Sequence, residues 1–327
     1  MSFLLIFLFS LLITGFGTPL VRRAAIYLGF VDAPAKRKLH SEPMPLMGGL
    51  AIFGGAFIVM LLVAPGLPKS VAGVLLAGTA VALTGLIDDR RGLPAWAKLA
   101  AQALAVVILV YYDIQVKLPV PEPINYLITF IWLAGISNAI NFLDNMDGLS
   151  AGISAVASSF ILLMGLANGQ LLVSALAAAV LGATLGFLRY NFKPAQIFMG
   201  DVGSLFLGFV LAVLGLQLTF PDSQNVITWM IPILILGIPI FDMILVVFSR
   251  IRRGVSPNTA GKDHTSHRLV DRGFSQREAV LILYLMGGVF GMIALFMTQA
   301  SLVEAYVMAG LTAVTAIYLI WKLEQGR

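Results

Sequence analysis

The sequence predicts an all-α, polytopic integral membrane protein with about eleven transmembrane helices, its amino terminus outside and its carboxyl terminus in the cytoplasm. Charged residues make up 11% of the 327 residues, whereas a soluble domain carries about 25%. Mean hydropathy is +0.94. The apolar stretches are continuous over about 20 residues, which favours helices over the alternating strands of a membrane barrel. Soluble enzymes, disordered chains and fibrous repeats are therefore excluded.

Hydropathy also gives the order of the spans. The uncharged run 149–188 is long enough for two helices, with a turn at 168–170 between them. We expect helices at roughly 3–21, 46–63, 70–87, 97–112, 124–143, 149–167, 170–188, 202–220, 225–249, 279–298 and 302–321.

The distribution of basic residues predicts the orientation. With the amino terminus outside, all of the 21 Lys and Arg residues except Lys69 and Lys117 fall in inner segments, as the positive-inside rule requires. This bias explains the net charge of +5 without nucleic acid as a partner. The chain has no cysteine, which excludes disulfides, a thiolate nucleophile and a cysteine-built metal site.

Five aspartates lie on the inner side, while acidic residues are almost absent elsewhere in the spans. An aspartate at the bilayer centre costs about 2.5–3.5 kcal/mol on insertion scales, and less near the interface. Single basic residues at helix ends are explained as topogenic anchors, but so many carboxylates on one side are not. The sequence therefore predicts one catalytic domain over 1–327, with active-site loops at 22–45, 88–96, 138–148, 189–204 and 250–277. The five inner aspartates that lead to this prediction are Asp88, Asp89, Asp144, Asp147 and Asp201.

The third loop carries Asn138, Asn141, Asp144 and Asp147 at steps of three residues. Neighbouring members share a helix face, but the row drifts by about 60° per step, so its two ends point apart. We therefore expect the helix to fray near Asn145. Oxygen ligands of this kind suit Mg²⁺ or Mn²⁺ rather than zinc.

Asp201 is expected at the amino terminus of a span, flanked by Gly200 and Gly203. A helix amino terminus offers free N–H groups, and glycine lets an anion approach closely. Beside the other carboxylates, this segment is a candidate metal–phosphate site.

The last loop contains His264, His267 and Arg268. Three interpretations stay open: a zinc site with Asp263, which lacks a further ligand; bare interfacial histidines; or phosphate contacts in a basic loop. Asp242 lies inside a span and is a functional candidate whose partner the sequence does not identify.

Taken together and in this order, these segments resemble the polyprenyl-phosphate N-acetylhexosamine-1-phosphate transferase family, over residues of about 18 to 275. The motifs are an Asp-x-Pro…Arg-Lys…His…Pro-x-Pro…Gly-Gly loop, Asp88-Asp89, Asn-x-x-Asn-x-x-Asp-x-x-Asp-Gly, Gly-Asp-x-Gly-Ser and His-x-x-His-Arg. Eleven spans with the amino terminus outside also resemble its GlcNAc-transferring branch. Many members carry His-x-His-His-Arg in the last loop, where this chain has Ser266 as the middle residue. The loop also differs from the corresponding three-histidine loop of the phospho-MurNAc-pentapeptide translocases.

The resemblance implies that undecaprenyl phosphate attacks a UDP-N-acetylhexosamine at the cytoplasmic face of the cell membrane, giving a lipid diphosphosugar and UMP. It implies Mg²⁺, with Mn²⁺ as the alternative, held by Asn141 and Asp201. Asp88 and Asp89 would serve the lipid phosphate, and Asp144 and Asp147 the nucleotide site. The implied substrate contacts are Lys36, Arg37, His40, Asn138, Asn141, His264, His267 and Arg268.

Several alternatives stay open at this stage. UDP-GlcNAc is the expected donor, with UDP-MurNAc-pentapeptide as the alternative. A membrane transporter is the alternative of a different class, but its polar groups should lie near the midplane. The CDP-alcohol phosphotransferase signature is missing, since Asp147-Gly148 is followed by Leu149. Direct attack is favoured over a covalent aspartyl-phosphate, and a homodimer is left open.

Overall fold

The computed structural model describes residues 2–32, 43–63, 68–220, 225–257, 259 and 261–325, and the regular structure of this part of the chain is helical apart from one pair of short strands. Its only sheet is a two-residue antiparallel pair, β1 (Val31–Asp32) and β2 (Met44–Pro45). The helices are α1 (Phe3–Leu28), α2 (Gly48–Val63), α3 (Lys69–Arg91), α4 (Ala95–Tyr111), α5 (Glu122–Leu143), α6 (Leu149–Ala167), α7 (Leu171–Asn191), α8 (Gly200–Gln217), α9 (Asn225–Thr228), α10 (Met230–Ile235), α11 (Gly237–Arg252), α12 (Thr265–Asp271), α13 (Gln276–Met297) and α14 (Leu302–Glu324).

The prediction of a polytopic membrane protein is confirmed. Among the described helices, eight are long and apolar enough to cross a membrane: α1, α3, α5, α6, α7, α8, α13 and α14. The apolar helices α2 and α4 are shorter. Ten of the eleven predicted spans each coincide with one described helix, and the ninth does not.

The ninth predicted span, 225–249, is broken into α9, α10 and α11, with interruptions at Trp229 and Leu236. Proline explains both breaks. Pro232 and Pro239 each lie third in a helix, where a missing N–H is tolerated. Without that N–H, neither proline can bond to the carbonyl four residues earlier, at Thr228 or Ile235. A continuous helix is therefore interrupted just ahead of each proline.

Helix ends also extend into several of the predicted loops. The loop 88–96 begins inside α3, and 189–204 contains the end of α7 and the start of α8. The loop 250–277 contains the short helix α12. The helix α5 ends at Leu143, two residues before the position where fraying was expected. Most of the predicted site residues are thus held on helix termini rather than on free loops.

The helix α8 runs through the centre of the main apolar core. From Gly200 to Gly215 every residue is buried except Asp201. Gly85 allows α3 to cross its amino terminus closely, because a Cβ there would lie 2.5 Å from the carbonyl oxygen of Asp201. This crossing brings the last turn of α3 beside the first turn of α8. At the periphery, α14 buries only Ala305, Leu323 and Glu324.

Candidate active site

The amino terminus of α8 already binds an anion from the chain itself. The N–H groups of Asp201 and Val202 donate to the two oxygens of Asp89, at 2.8 and 3.2 Å. Gly200 has φ +73°, and a Cβ there would lie 2.5 Å from Asp89 Oδ2. A helix amino terminus favours a carboxylate in this position. These two N–H groups therefore bind Asp89, and the metal–phosphate site at this helix terminus stays a prediction.

Asp88, the neighbouring carboxylate, faces a lysine on α4. The Lys98 ammonium lies 2.7 Å from Asp88 Oδ2 and 3.1 Å from Asp201 Oδ2. Asp88 Oδ1 also accepts from the backbone N–H of Leu93, in the short connection between α3 and α4. In the sequence, Lys98 is distinguished only as one of the inner positive charges. Its site role follows from the tight connection 92–94, which turns α4 back beside the end of α3.

The amide of Asn141 completes this group from α5. Its Nδ2 donates to Asp201 Oδ1 at 2.9 Å and to Ser204 Oγ at 2.8 Å. Four helix ends thus converge on Asp201. We call this group the acidic cluster; its members are Asp88, Asp89, Lys98, Asn141 and Asp201.

Asn138 lies one turn earlier on α5 and faces α4 instead. Its Nδ2 donates to Gln102 Oε1 at 3.1 Å and to the Ala134 carbonyl at 2.7 Å. The expected drift along the 138–147 row is therefore observed. Gln102, which accepts this hydrogen bond from Asn138, was not among the residues predicted from the sequence. A substrate contact by Asn138 stays a prediction.

Asp144 and Asp147 follow the end of α5 and differ in their surroundings. Burial, followed by the charges of Asp201, Asp89 and Asp147, raises the pKa of Asp144 to about 8. Asp147 Oδ2 accepts from the Ala195 N–H at 3.1 Å and lies 3.4 Å from Lys193 Nζ. Asp144 therefore shares the field of the acidic cluster, while Asp147 binds the connection between α7 and α8.

The donor set of the acidic cluster fits a divalent cation in its chemistry. The described residues contain no group of three or more His, Asp or Glu side chains arranged to hold a metal ion. However, oxygens from α3 and α8 converge on the Lys98 ammonium, so a positive charge is already favoured between Asp88 and Asp201. After burial, the charges of Asp201, Asp89 and Asp147 also raise the pKa of Asp144, so several carboxylates act on one another here. Carboxylate and amide oxygens are ligands that Mg²⁺ accepts.

A second polar group connects α11 with α12. Arg250 Nε and Arg253 Nη2 donate to the two oxygens of Asp263, at 3.1 and 2.7 Å. Burial alone would raise the pKa of Asp263, but these hydrogen bonds and charges lower it below its ordinary value. We call this group the α11–α12 region; it comprises Asp242, Arg250, Arg253, Asp263, His264, His267 and Arg268.

Arg268 is buried and all three of its guanidinium nitrogens donate to the chain itself. They bind the Asp263 carbonyl at 2.8 Å, the Leu323 carbonyl at 2.7 Å and Glu324 Oε1 at 2.6 Å. In this arrangement Arg268 braces α12 against the end of α14. The substrate contact that the resemblance implies for Arg268 stays a prediction.

The two histidines of this region lie in different environments. His264 Nδ1 is 2.8 Å from Asp242 Oδ2. His264 is thus a partner of Asp242, which the sequence alone did not identify. Burial and the nearby charges of His264 and Lys262 lower the pKa of His267 to about 4. Since Asp263 binds arginines, the zinc interpretation lacks support. Ser266 Oγ, between the two histidines, donates to Asn145 Oδ1 at 2.6 Å. The predicted contacts Lys36, Arg37 and His40 lie outside the described residues.

Comparison with known proteins identifies the family. Residues 71–219 match the family model described as glycosyl transferase family 4, a range that contains the acidic cluster. A Bacillus subtilis protein named as a probable undecaprenyl-phosphate N-acetylglucosaminyl 1-phosphate transferase is 38% identical over 305 residues, which cover 90% of this chain and 85% of that protein. The chain belongs to the polyprenyl-phosphate N-acetylhexosamine-1-phosphate transferase family.

More distant members of the same family match over a similar range. The decaprenyl-phosphate N-acetylglucosaminephosphotransferase of Mycolicibacterium smegmatis is 33% identical over 323 residues, covering 87% of this chain and 79% of that protein. The undecaprenyl-phosphate α-N-acetylglucosaminyl 1-phosphate transferase of Escherichia coli K12 is 27% identical over 321 residues, with coverages of 93% and 85%. The resemblance inferred from the motifs is thereby confirmed for most of the chain.

Proposed function

We propose that this chain transfers GlcNAc-1-phosphate from UDP-GlcNAc to undecaprenyl phosphate and releases UMP. An oxygen of the lipid phosphate forms a bond to the β-phosphorus of the donor, and the bond from that phosphorus to the UMP oxygen breaks. The observation that carries the proposal is the acidic cluster, where Lys98 pairs with Asp88 and Asp201 at helix ends and Asn141 donates to Asp201. The names of three relatives support the donor sugar and the polyprenyl acceptor.

Two anions must approach each other in this reaction, so positive charge is the first requirement. Lys98 supplies one such charge, and its contacts with Asp88 and Asp201 hold the ammonium in place. Asp201 and the Asn141 amide oxygen are the proposed ligands of Mg²⁺, with Mn²⁺ as the alternative. Bound there, the cation would stabilise charge on the diphosphate oxygens.

The aspartates of α3 take different parts in this proposal. Asp89 binds the start of α8, so it positions Asp201 rather than contacting the lipid phosphate. Asp88 remains beside Lys98 at the proposed acceptor side. A general base is not required, because the second pKa of a phosphate monoester is about 6 and the lipid phosphate is mostly dianionic at neutral pH. Direct attack then depends on alignment and charge neutralisation.

The proposed location is the cytoplasmic face of the cell membrane. The acidic cluster lies at the end of α3 that carries Arg90 and Arg91, whereas Lys69 begins the same helix at the other end. By the positive-inside rule, the end with Arg90 and Arg91 faces the cytoplasm, which supports an amino terminus outside. The proposed number of spans is eleven, the ninth of them broken. All members of the cluster come from one chain, so the proposal does not need a homodimer.

The test is to incubate the purified protein in detergent with undecaprenyl phosphate, Mg²⁺ and a panel of UDP-sugars, and to measure UMP. We expect UMP with UDP-GlcNAc, none without the lipid phosphate, and little with UDP-MurNAc-pentapeptide. UMP from the pentapeptide donor and none from UDP-GlcNAc would contradict the donor assignment. No UMP from any donor would contradict the proposed function.

A further inference from the structure

Asp242 is a buried acid for which the proposed mechanism has no use. It lies in the second turn of α11, after the break at Leu236, and is 1% exposed. A carboxylate inside a span is unfavourable unless it is paired. Its two oxygens therefore need partners, and those partners indicate what the residue does.

Both oxygens of Asp242 bind the start of α12. Oδ1 accepts from the Thr265 N–H at 2.7 Å, and Oδ2 lies 2.8 Å from His264 Nδ1. His264 occupies the N-cap of α12 but makes no side-chain capping bond. Asp242 thus supplies the missing cap through one oxygen. Capping does not account for the second oxygen, which contacts the imidazole ring.

The contact with Oδ2 determines the proton arrangement on His264. A carboxylate only accepts hydrogen bonds, so the proton between these atoms belongs to Nδ1 of the ring. The other ring nitrogen, Nε2, is then an acceptor in the neutral ring and a donor in the imidazolium. The hydrogen bond observed for this ring among the described residues is the one at Nδ1. A carboxylate that fixes the tautomer of a functional histidine in this way is common in protein sites.

The ring of His264 lies beside the end of α5. It stands edge-on to Phe142, with centroids 6.3 Å apart and an interplanar angle of 84°. The hydrogen bond from Ser266 to Asn145 ties the first turn of α12 to the connection between α5 and α6. Phe142 follows Asn141 along the chain, so this contact joins His264 to the helix that carries a member of the acidic cluster.

We propose that Asp242 is a positioning residue that holds His264 in the Nδ1–H form and fixes the start of α12 against α5. Nε2 of His264 is thereby directed to a phosphate oxygen of the nucleotide donor. The identity of that ligand rests on the proposed function, whereas the control of the tautomer does not.

The first test separates this role from simple capping. In Asp242→Asn the amide oxygen can still accept from the Thr265 N–H, but the amide nitrogen donates to His264 Nδ1 and forces the proton to Nε2. We expect the variant to fold and to lose about 10–100-fold in kcat, with part of the loss restored in Asp242→Glu. In a His264→Gln background, the same change should cost nothing further. Unchanged turnover in Asp242→Asn, or additive losses, would leave only a cap and overturn the proposal.

The second test does not depend on turnover. The chain has three histidines, so ¹⁵N-labelled histidine gives few ring signals, and His264→Gln assigns those of His264. At a pH about two units above the ordinary histidine pKa of about 6.5, we expect the Nδ1–H pattern in the wild type and the Nε2–H pattern in Asp242→Asn. An Nε2–H pattern in the wild type overturns the proposal, whether or not any variant folds.

The control variant is Asp113→Asn, because Asp113 forms an exposed ion pair with Lys117 away from both polar groups. It should change neither turnover nor the ring signals. If no UDP-sugar gives UMP but the tautomer responds to Asp242→Asn, the proposed function fails and the positioning role stands. If UMP is released and the tautomer does not respond, the positioning role fails and the proposed function stands.

Discussion

The acidic cluster and the α11–α12 region are both rich in charge at helix ends, but they balance that charge differently. In the acidic cluster, Asp88 and Asp201 share the Lys98 ammonium, and Asp89 is bound by backbone N–H groups. In the α11–α12 region, Asp263 lies between two arginines and the buried Arg268 binds Glu324. One group therefore has negative charge left over, and the other is neutralised within the chain.

This difference indicates where a ligand must bind. Uncompensated carboxylates near an interface are expensive, and a bound cation with its phosphates would compensate them. Paired charges, in contrast, fix the geometry of the chain and leave little capacity for a ligand. We therefore assign cation and diphosphate binding to the acidic cluster. In the α11–α12 region, the proposed contact with the donor is His264, and most other members hold α12 in place.

The largest expected effect is that of Asp201→Asn, which removes the central carboxylate of the acidic cluster. Turnover should fall by more than about 10³-fold, because the proposed cation loses its main ligand. UMP release is measured beside the melting temperature in detergent, with Asp113→Asn as the matched control. A folded variant with near-native turnover at ordinary Mg²⁺ concentrations would show that this carboxylate is not a ligand.

A smaller loss is expected for Lys98→Gln. The ammonium that lies between Asp88 and Asp201 disappears, and we expect about 10²-fold slower turnover. Lys98→Arg should recover only part of this loss, since the planar guanidinium does not replace a compact ammonium between two carboxylates. The measurement is kcat and KM for UDP-GlcNAc. Equal activity of the wild type and Lys98→Gln would reduce Lys98 to a topogenic anchor.

The smallest effect on turnover is expected for Glu324→Gln, which changes the α14 partner of Arg268 in the α11–α12 region. This change weakens the charged hydrogen bond from Arg268 and should cost about 1.5–3 kcal/mol of stability, which lowers the melting temperature by several degrees. Turnover of the folded protein should change less than about threefold, an energy below 1 kcal/mol. A large loss of turnover at an unchanged melting temperature would contradict the assignment of Arg268 as a brace.

Most of the fold could be predicted because a membrane span is a property of a continuous segment of sequence. Hydropathy located the helices, and proline positions explain why the ninth span is interrupted at Leu236. The break was not predicted, because hydropathy detects only a continuous apolar run. Proline is apolar enough to lie within such a run, so the run does not show that a new helix begins just before it. Contacts between segments were harder to predict, since they depend on how helices cross.

The same limit applies to the candidate site. The motifs identified Asp88, Asp89, Asn141 and Asp201 because acids and amides are rare at the inner ends of spans. Lys98 was not recognised, since one lysine at an interface resembles a topogenic anchor. Likewise, the partners of Asp89 and Asp242 lie 112 and 22 residues away along the chain. No local pattern indicates such pairs, and they were found only from the packing of the helices.

The central claim is that the acidic cluster, and not the α11–α12 region, binds the divalent cation. The most direct test is electron paramagnetic resonance of Mn²⁺ with the purified protein and UDP-GlcNAc, without the lipid acceptor so that no turnover occurs. We expect bound Mn²⁺ in the wild type that Mg²⁺ displaces, loss of that signal in Asp201→Asn, and retention in Asp263→Asn. Bound Mn²⁺ that persists in Asp201→Asn and disappears in Asp263→Asn would contradict the account.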